Sequence, residues 1–170
     1  MKTLNLHVDY IKFKPLKKAL KSIADLSEKE KQEQEIKDCL VVLTAVEKFD
    51  TNVNKIVEKY IENIKDIAKQ VNTKNIVLYP YAHLSKDLSS PEIAQKILIE
   101  AEEELKKEKF KVTRAPFGYY KEFELKVKGH PLSELSREIK VWEDGKKVEE
   151  KYNPKQLLKE ISKSKLDTSK

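Results

Sequence analysis

Cys39-Leu40-Val41-Val42-Leu43-Thr44-Ala45-Val46 is a continuous apolar run, interrupted only by Thr44. A strand with one wet face alternates apolar and polar residues, so an unbroken run rich in β-branched side chains predicts a strand covered on both faces. Such a strand belongs in the middle of a sheet, and the rest of the chain can be placed around it. Downstream, Asn52 can cap a helix over Val53 to Val71, in which Ile56, Tyr60, Ile64, Ile67 and Val71 recur at spacings of three and four. Ile76-Val77-Leu78 predicts another short strand running to Tyr79. Ser90 and Pro91 then supply an N-cap and a first-turn proline for a second helix to Lys107, with Ile93, Ile97, Leu98, Ala101 and Leu105 as its apolar face. A further strand begins over Phe110 to Thr113.

Upstream, Leu4, Leu6 and Val8 alternate with Thr3, Asn5 and His7, the two-residue period of a half-buried strand. Asp9 to Phe13 extends it toward a turn at Pro15, and the charged stretch Leu26 to Asp38 reads as a surface loop or short helix. Toward the C-terminus, Pro116 and Gly118 predict a tight, rigid turn ahead of an alternating strand from Tyr119 to Val127. Gly129-His130-Pro131 ends that strand. Leu132, Leu135 and Ile139 then lie at helical spacing, which predicts a short helix carrying Glu134. The fold class that follows is α/β, a mixed β-sheet with helices packed on it.

The 170 residues suit one domain with a sizeable core and a tail. Lysine and arginine number 35 against 29 acidic residues, a formal charge of +6, which permits an anionic partner without requiring one. Lys12, Lys14, Lys17, Lys18 and Lys21 are equally a phosphate track or a solvated edge. Cys39 is alone, so no internal disulfide forms, and its apolar neighbours make it a buried structural thiol rather than a nucleophile. No apolar run could span a bilayer and no leader sequence is evident, so the expectation is a cytoplasmic protein. After Ile139 the pattern decays into Lys, Glu and Ser, and residues 141–170 read as a charged linker following a domain of residues 1–140.

Chemistry concentrates in two loops. Pro80-Tyr81-Ala82-His83-Leu84-Ser85 follows a strand end, where ligands of α/β sheets bind, and the turn after Gly118 presents Tyr120 and Lys121. A lysine can steady negative charge on an ester carbonyl, a histidine can hold a water or a ribose hydroxyl, and a tyrosine can donate to the same network; Glu134 is the carboxylate to join them. Against this, Lys121 beside Glu122 reads as well as a surface residue, and Tyr119, Tyr120 and Phe123 as sheet packing. His7, His83 and His130 lie on three separate segments, with no metal-ligand spacing, no glycine-rich phosphate loop and no Ser-His-Asp or Cys-His pattern. No cofactor and no metal are therefore expected.

Tyr79-Pro80-Tyr81-Ala82-His83-Leu84-Ser85, Ala115-Pro116-Phe117-Gly118-Tyr119-Tyr120-Lys121 and Lys128-Gly129-His130-Pro131-Leu132-Ser133-Glu134-Leu135-Ser136-Arg137, together with Leu6-His7-Val8-Asp9-Tyr10, closely resemble the N-terminal editing domain of archaeal threonyl-tRNA synthetases. The resemblance covers Met1 to Ile139. It implies a fold similar to D-aminoacyl-tRNA deacylases, and removal of serine wrongly attached to threonine tRNA, with water activated with help from the 2'-hydroxyl of the terminal ribose. It places catalytic roles on His83, Tyr120, Lys121 and Glu134, with Pro80, Ala82, Phe117, Ala45 and Val46 lining the amino acid and terminal adenosine. It also implies a homodimer, and a continuation from the linker into the rest of a synthetase. Serine lacks one methyl of threonine, a difference worth only about 1–3 kcal/mol in a pocket, so a second site that hydrolyses errors is what accuracy demands. Two other readings remain open: a freestanding D-aminoacyl-tRNA deacylase and a non-catalytic tRNA-binding module.

Overall fold

The computed structural model describes residues 1–141, so the linker expected over residues 141–170 lies, apart from its first residue, outside the described residues. In chain order the elements are β1 (Lys2–Lys18), β2 (Gln34–Ala45), α1 (Val53–Gln70), β3 (Asn75–Pro80), a single 3-10 turn (Ala82–Leu84), α2 (Pro91–Lys107), β4 (Lys111–Arg114), β5 (Tyr119–Val127) and β6 (Glu134–Glu138). The sheet runs β4-β3-β2-β1-β5, with β6 also paired to β1. β2, β3 and β4 are mutually parallel, whereas β1 is antiparallel to β2, β5 and β6. This is the mixed α/β architecture expected, with the apolar run of β2 at its centre.

β2 is buried on both sides because two cores meet on it. Leu40, Val42 and Val46 face the helices, joining Ile56, Tyr60, Ile64 and Ile67 of α1 and Ile97, Leu98, Ala101 and Leu105 of α2. Cys39, Val41 and Leu43 face the other way, into a cluster with Leu6, Val8, Ile11 and Phe13 of β1 and Val77 and Tyr79 of β3. Phe13 pairs with Gln34 and Tyr79 with Leu43, near opposite ends of β2, about 30 Å apart on a flat strand. Their rings nevertheless meet at 6.0 Å. The sheet therefore curls, and the register shift between Val8 and Tyr10 marks a bend in β1. The helices begin where capping chemistry puts them: Asn52 accepts from the Lys55 amide at 3.2 Å and Ser90 from the Ile93 amide at 3.4 Å.

Three local expectations are corrected. β1 does not turn at Pro15 but continues to Lys18, with Pro15 opposite Lys121; β2 has ended opposite Phe13, so β1 has one neighbour there and tolerates a residue without an N–H. The end of the charged stretch, Gln34–Asp38, belongs to β2 rather than to a loop. Leu132 to Ile139 is no helix: Glu134–Glu138 is strand β6, which fills the edge of β1 that β5 leaves open between Lys2 and Leu6.

Burial pushes the Cys39 thiol up to about 12, with the charge of Asp38 adding to the effect, so it stays protonated as a structural thiol. The α-ammonium of Met1 is buried as well. It donates to Glu47 Oε2 at 3.0 Å, Asp50 Oδ1 at 2.9 Å and the Ile139 carbonyl at 3.0 Å, closing the start of the domain onto its end.

Candidate active site

A cleft of about 500 Å³ opens where the ends of β2 and β3 meet the turn before β5. Its walls come from five segments that are distant in sequence, one of them Leu88 and Ser89 with Pro91, Ala94 and Leu98 of α2. Thr44, Ala45 and Val46 end β2; the turn after β3 supplies Pro80, Tyr81, Ala82 and His83, anchored by the Tyr81 amide donating to the Thr44 carbonyl at 2.8 Å. Phe117 to Lys121 and Phe123 form the opposite wall, and Ala19 and Leu20 close one end. That end is fixed by Gly118, whose φ of +74° lets its carbonyl accept from the amides of both Ala19 (2.8 Å) and Leu20 (3.2 Å). Tyr119 adds a bond from its hydroxyl to the Ala24 carbonyl at 3.0 Å.

Lys121 is the only lysine or arginine lining the cleft among the described residues, and no aspartate or glutamate lines it. Its Nζ donates to the carbonyls of Pro116 (2.8 Å) and Tyr119 (2.9 Å) and stands 5.2 Å from the centre of the Tyr79 ring. Burial lowers its pKa to about 8, because a desolvated ammonium has only dipoles and a ring face to offset the lost water. Around it the aromatic rings interlock, Tyr79 with Phe123 at 5.4 Å and with Tyr81 at 6.4 Å, and Tyr81 with His83 at 5.3 Å. Such a site offers an apolar floor, one partly dehydrated cation with a third N–H to spare, and exposed His83 and Tyr120 at the mouth. That suits binding a neutral ester and stabilising charge that develops on its carbonyl oxygen.

Of the nine residues singled out from sequence, Lys121, His83, Tyr120, Pro80, Ala82, Phe117, Ala45 and Val46 all line this cleft. Glu134 does not: it is an exposed residue of β6 opposite Leu6, whereas Lys121 pairs with Pro15 much farther along β1. The carboxylate expected beside Lys121 is replaced by the two carbonyls. Sequence reasoning did not single out Ala19 and Leu20, which the Gly118 carbonyl brings in, or Leu88 and Ser89, which are held beside Val46 by the Glu47–Leu88 bridge and the Ser89 amide; none carries a chemical signal. Phe123 was legible as a neighbour of Lys121 on the same face of β5, two residues on. Of the basic stretch, Lys18 is taken by Asp25 at 2.7 Å, Lys17 stands 5.7 Å from the Tyr120 ring, and Lys12 and Lys14 lie opposite Glu124 and Glu122.

Comparison with known proteins gives the chain its family. The family model for the archaea-specific editing domain of threonyl-tRNA synthetase matches residues 1–139. The threonine-tRNA ligase of Thermococcus onnurineus is 47% identical over 161 residues, 94% of this chain and 25% of that protein. That of Methanosphaera stadtmanae is 49% identical over 140 residues, 82% of this chain and 22% of that protein. The chain thus spans about a quarter of the length of these relatives. Among solved structures, the c-Myc DNA Unwinding Element Binding Protein superposes with a TM-score of 0.60 at 14% identity, covering 83% of this chain and 100% of that one, a likeness of fold alone. With the family model matched over residues 1–139 and relatives 47% and 49% identical, this chain belongs to the archaea-specific editing domains of threonyl-tRNA synthetase.

Proposed function

We propose that the chain hydrolyses the ester of L-serine wrongly attached to threonine tRNA. The observation that carries this reading is Lys121: a half-desolvated amine on the wall of an apolar cleft, with two donors occupied and one left for a substrate oxygen. In the reaction water attacks the ester carbonyl carbon, the carbonyl oxygen gains negative charge, and the bond to the ribose oxygen breaks to release serine and the tRNA 3' end. Lys121 donates to the charged oxygen. The neighbouring ribose 2'-hydroxyl helps deprotonate the water by relaying its proton to the departing 3'-oxygen, and His83 and Tyr120 at the mouth position water and ribose. Among the described residues no carboxylate lines the cleft to act as base, which leaves room for assistance by the substrate's own hydroxyl. Ala45 and Val46, both buried at the end of β2, with Pro80, Ala82 and Phe117, surround the amino acid and adenosine.

Glu134 has no part in this scheme within one chain; the homodimer expected from the resemblance is the arrangement that would give it one. Residues 141–170 would lead toward the body of a cytoplasmic synthetase, in keeping with a match that extends over 161 residues of a relative four times as long. The test is to incubate the purified chain with L-seryl-, L-threonyl- and D-seryl-tRNA. Rapid release of L-serine with L-threonine retained is expected. Cleavage of the D-ester alone would favour a D-aminoacyl-tRNA deacylase, and binding of all three without hydrolysis a tRNA-docking module.

A further inference from the structure

Three residues beyond Val46, which lines the cleft, the fold holds a phenylalanine out in water. Phe49 is 69% exposed, more than any other large apolar side chain among the described residues. Scattered exposed apolar residues are ordinary, but this one sits on a turn fixed from beneath. The Asp50 amide donates to the Glu47 carbonyl at 2.9 Å, the Glu47 amide to Asp50 Oδ2 at 2.7 Å, and the Thr51 amide to the Phe49 carbonyl at 2.9 Å. The Met1 ammonium holds both carboxylates. The turn is also tied to the cleft wall, because Glu47 forms a β-bridge with Leu88 and the Ser89 amide donates to the Val46 carbonyl at 3.0 Å; Val46, Leu88 and Ser89 all line the cleft. A cation completes the arrangement: Lys48 Nζ stands 5.0 Å from the centre of the Phe49 ring, tethered by Asp87 at 3.1 Å.

We propose that Phe49 is a stacking platform for the nucleotide that precedes the terminal adenosine of the bound tRNA, with Lys48 meeting the adjoining phosphate. This rests on the reading of the cleft as the site for the aminoacylated adenosine. Beyond that adenosine the next group along the strand is a single-stranded nucleotide, and Phe49, three residues beyond Val46 of the cleft wall, is an exposed ring outside the cleft itself. A base presents an aromatic face whatever its identity, so a rigid ring with a neighbouring cation binds it without reading sequence. Preorganising the turn spares the entropy of ordering it on binding.

Two substrates separate the platform from the catalytic cleft. Phe49→Ala should raise KM for seryl-tRNA roughly tenfold, in line with the loss of one base-aromatic stack, and leave kcat unchanged. It should leave hydrolysis of 3'-O-seryl-adenosine, which lacks the preceding nucleotide, at the wild-type rate, and Phe49→Trp should restore the KM for seryl-tRNA. A short RNA ending in CCA whose penultimate cytosine is replaced by 2-aminopurine should be quenched by wild type and not by Phe49→Ala. Wild-type KM in Phe49→Ala, or an equal loss on both esters, would overturn the platform. Phe49-dependent quenching in a protein that hydrolyses neither ester would uphold the platform and overturn the hydrolase reading instead.

Discussion

His130 Nε2 lies 2.8 Å from His7 Nδ1, and the surroundings decide which ring carries the shared proton. The Leu132 amide donates to His130 Nδ1 at 3.2 Å, so that nitrogen holds a lone pair and the His130 proton sits on Nε2. His7 therefore accepts on Nδ1 and carries its own proton on Nε2, 3.4 Å from Asp38 Oδ1. A second proton on either ring would break this chain and loosen the Gly129 to Ser133 turn that connects β5 to β6.

Burial, followed by the charges of Lys128 and His130, lowers the His7 pKa below its ordinary value of 6.5. As pH falls the unfolded chain takes up this proton before the folded one, so the contribution of His7 to stability is complete above about pH 6.5 and is lost below it. Urea midpoints should fall between pH 7.5 and 5.5 in the wild type, and a His7→Gln variant should show a shallower fall. An equal slope in both would place the acid sensitivity elsewhere.

Lys121→Met keeps the aliphatic length and removes the charge. Deacylation of L-seryl-tRNA should drop by about 10²-fold, the size expected for one preorganised donor. The melting temperature should hold or rise, since a desolvated cation is removed from the folded state. With its pKa near 8, the wild-type lysine should also impose a decline in kcat/KM as pH rises through about 8, after correction for spontaneous ester hydrolysis. Lys121→Met should lack that decline.

The two left-handed glycines should respond unequally to alanine. A Cβ on Gly118 would meet Ile23 Cγ1 at 2.5 Å in addition to the strain of φ +74°, whereas at Gly129, φ +78°, nothing lies within 4 Å. Gly129→Ala should therefore cost only the backbone strain, about 1–2 kcal/mol in chemical denaturation. Gly118→Ala should cost more and displace the Ala19-Leu20 end of the cleft, raising KM as well.

Asp50→Ala removes one of the two carboxylates on the Met1 ammonium and the acceptor for the Glu47 amide. Losing one partner of a buried ion pair costs about 3 kcal/mol or more. The loss should be read as a lowered denaturation midpoint, with Asp50→Asn falling between wild type and alanine because its oxygen can still accept.

The elements legible in sequence were those whose environment is uniform along their length. Cys39 to Val46 is covered on both faces, and α1 and α2 each rest one face on the sheet, so pattern and packing coincide. β6 was misread because Leu135 and Ile139 pack against the helix-side core from a strand and the segment just after it, and the helical spacing with Leu132 is coincidental. What decides that segment is the vacant edge of β1, more than a hundred residues away, a non-local fact that no window of sequence contains. The candidate site was legible as chemistry but not as geometry. The loop motifs and the resemblance together named eight residues of the cleft, six of them in the two loops, while the partners of Lys121 proved to be main-chain carbonyls, which have no side-chain signature.

The threefold pairing of β1 also bears on how the domain is made. Among the described strands β1 is made first, and its partners β5 and β6 are made last. At about 5–20 residues per second, on the order of ten seconds pass before Glu138 follows Lys2 out of the exit tunnel. Throughout that interval Leu4 to Phe13 can pair only with β2, leaving one apolar edge open to solvent and to neighbouring nascent chains. The domain's sheet thus cannot be completed while its own synthesis is still under way, and a chaperone able to shield a bare strand edge has its longest opportunity here.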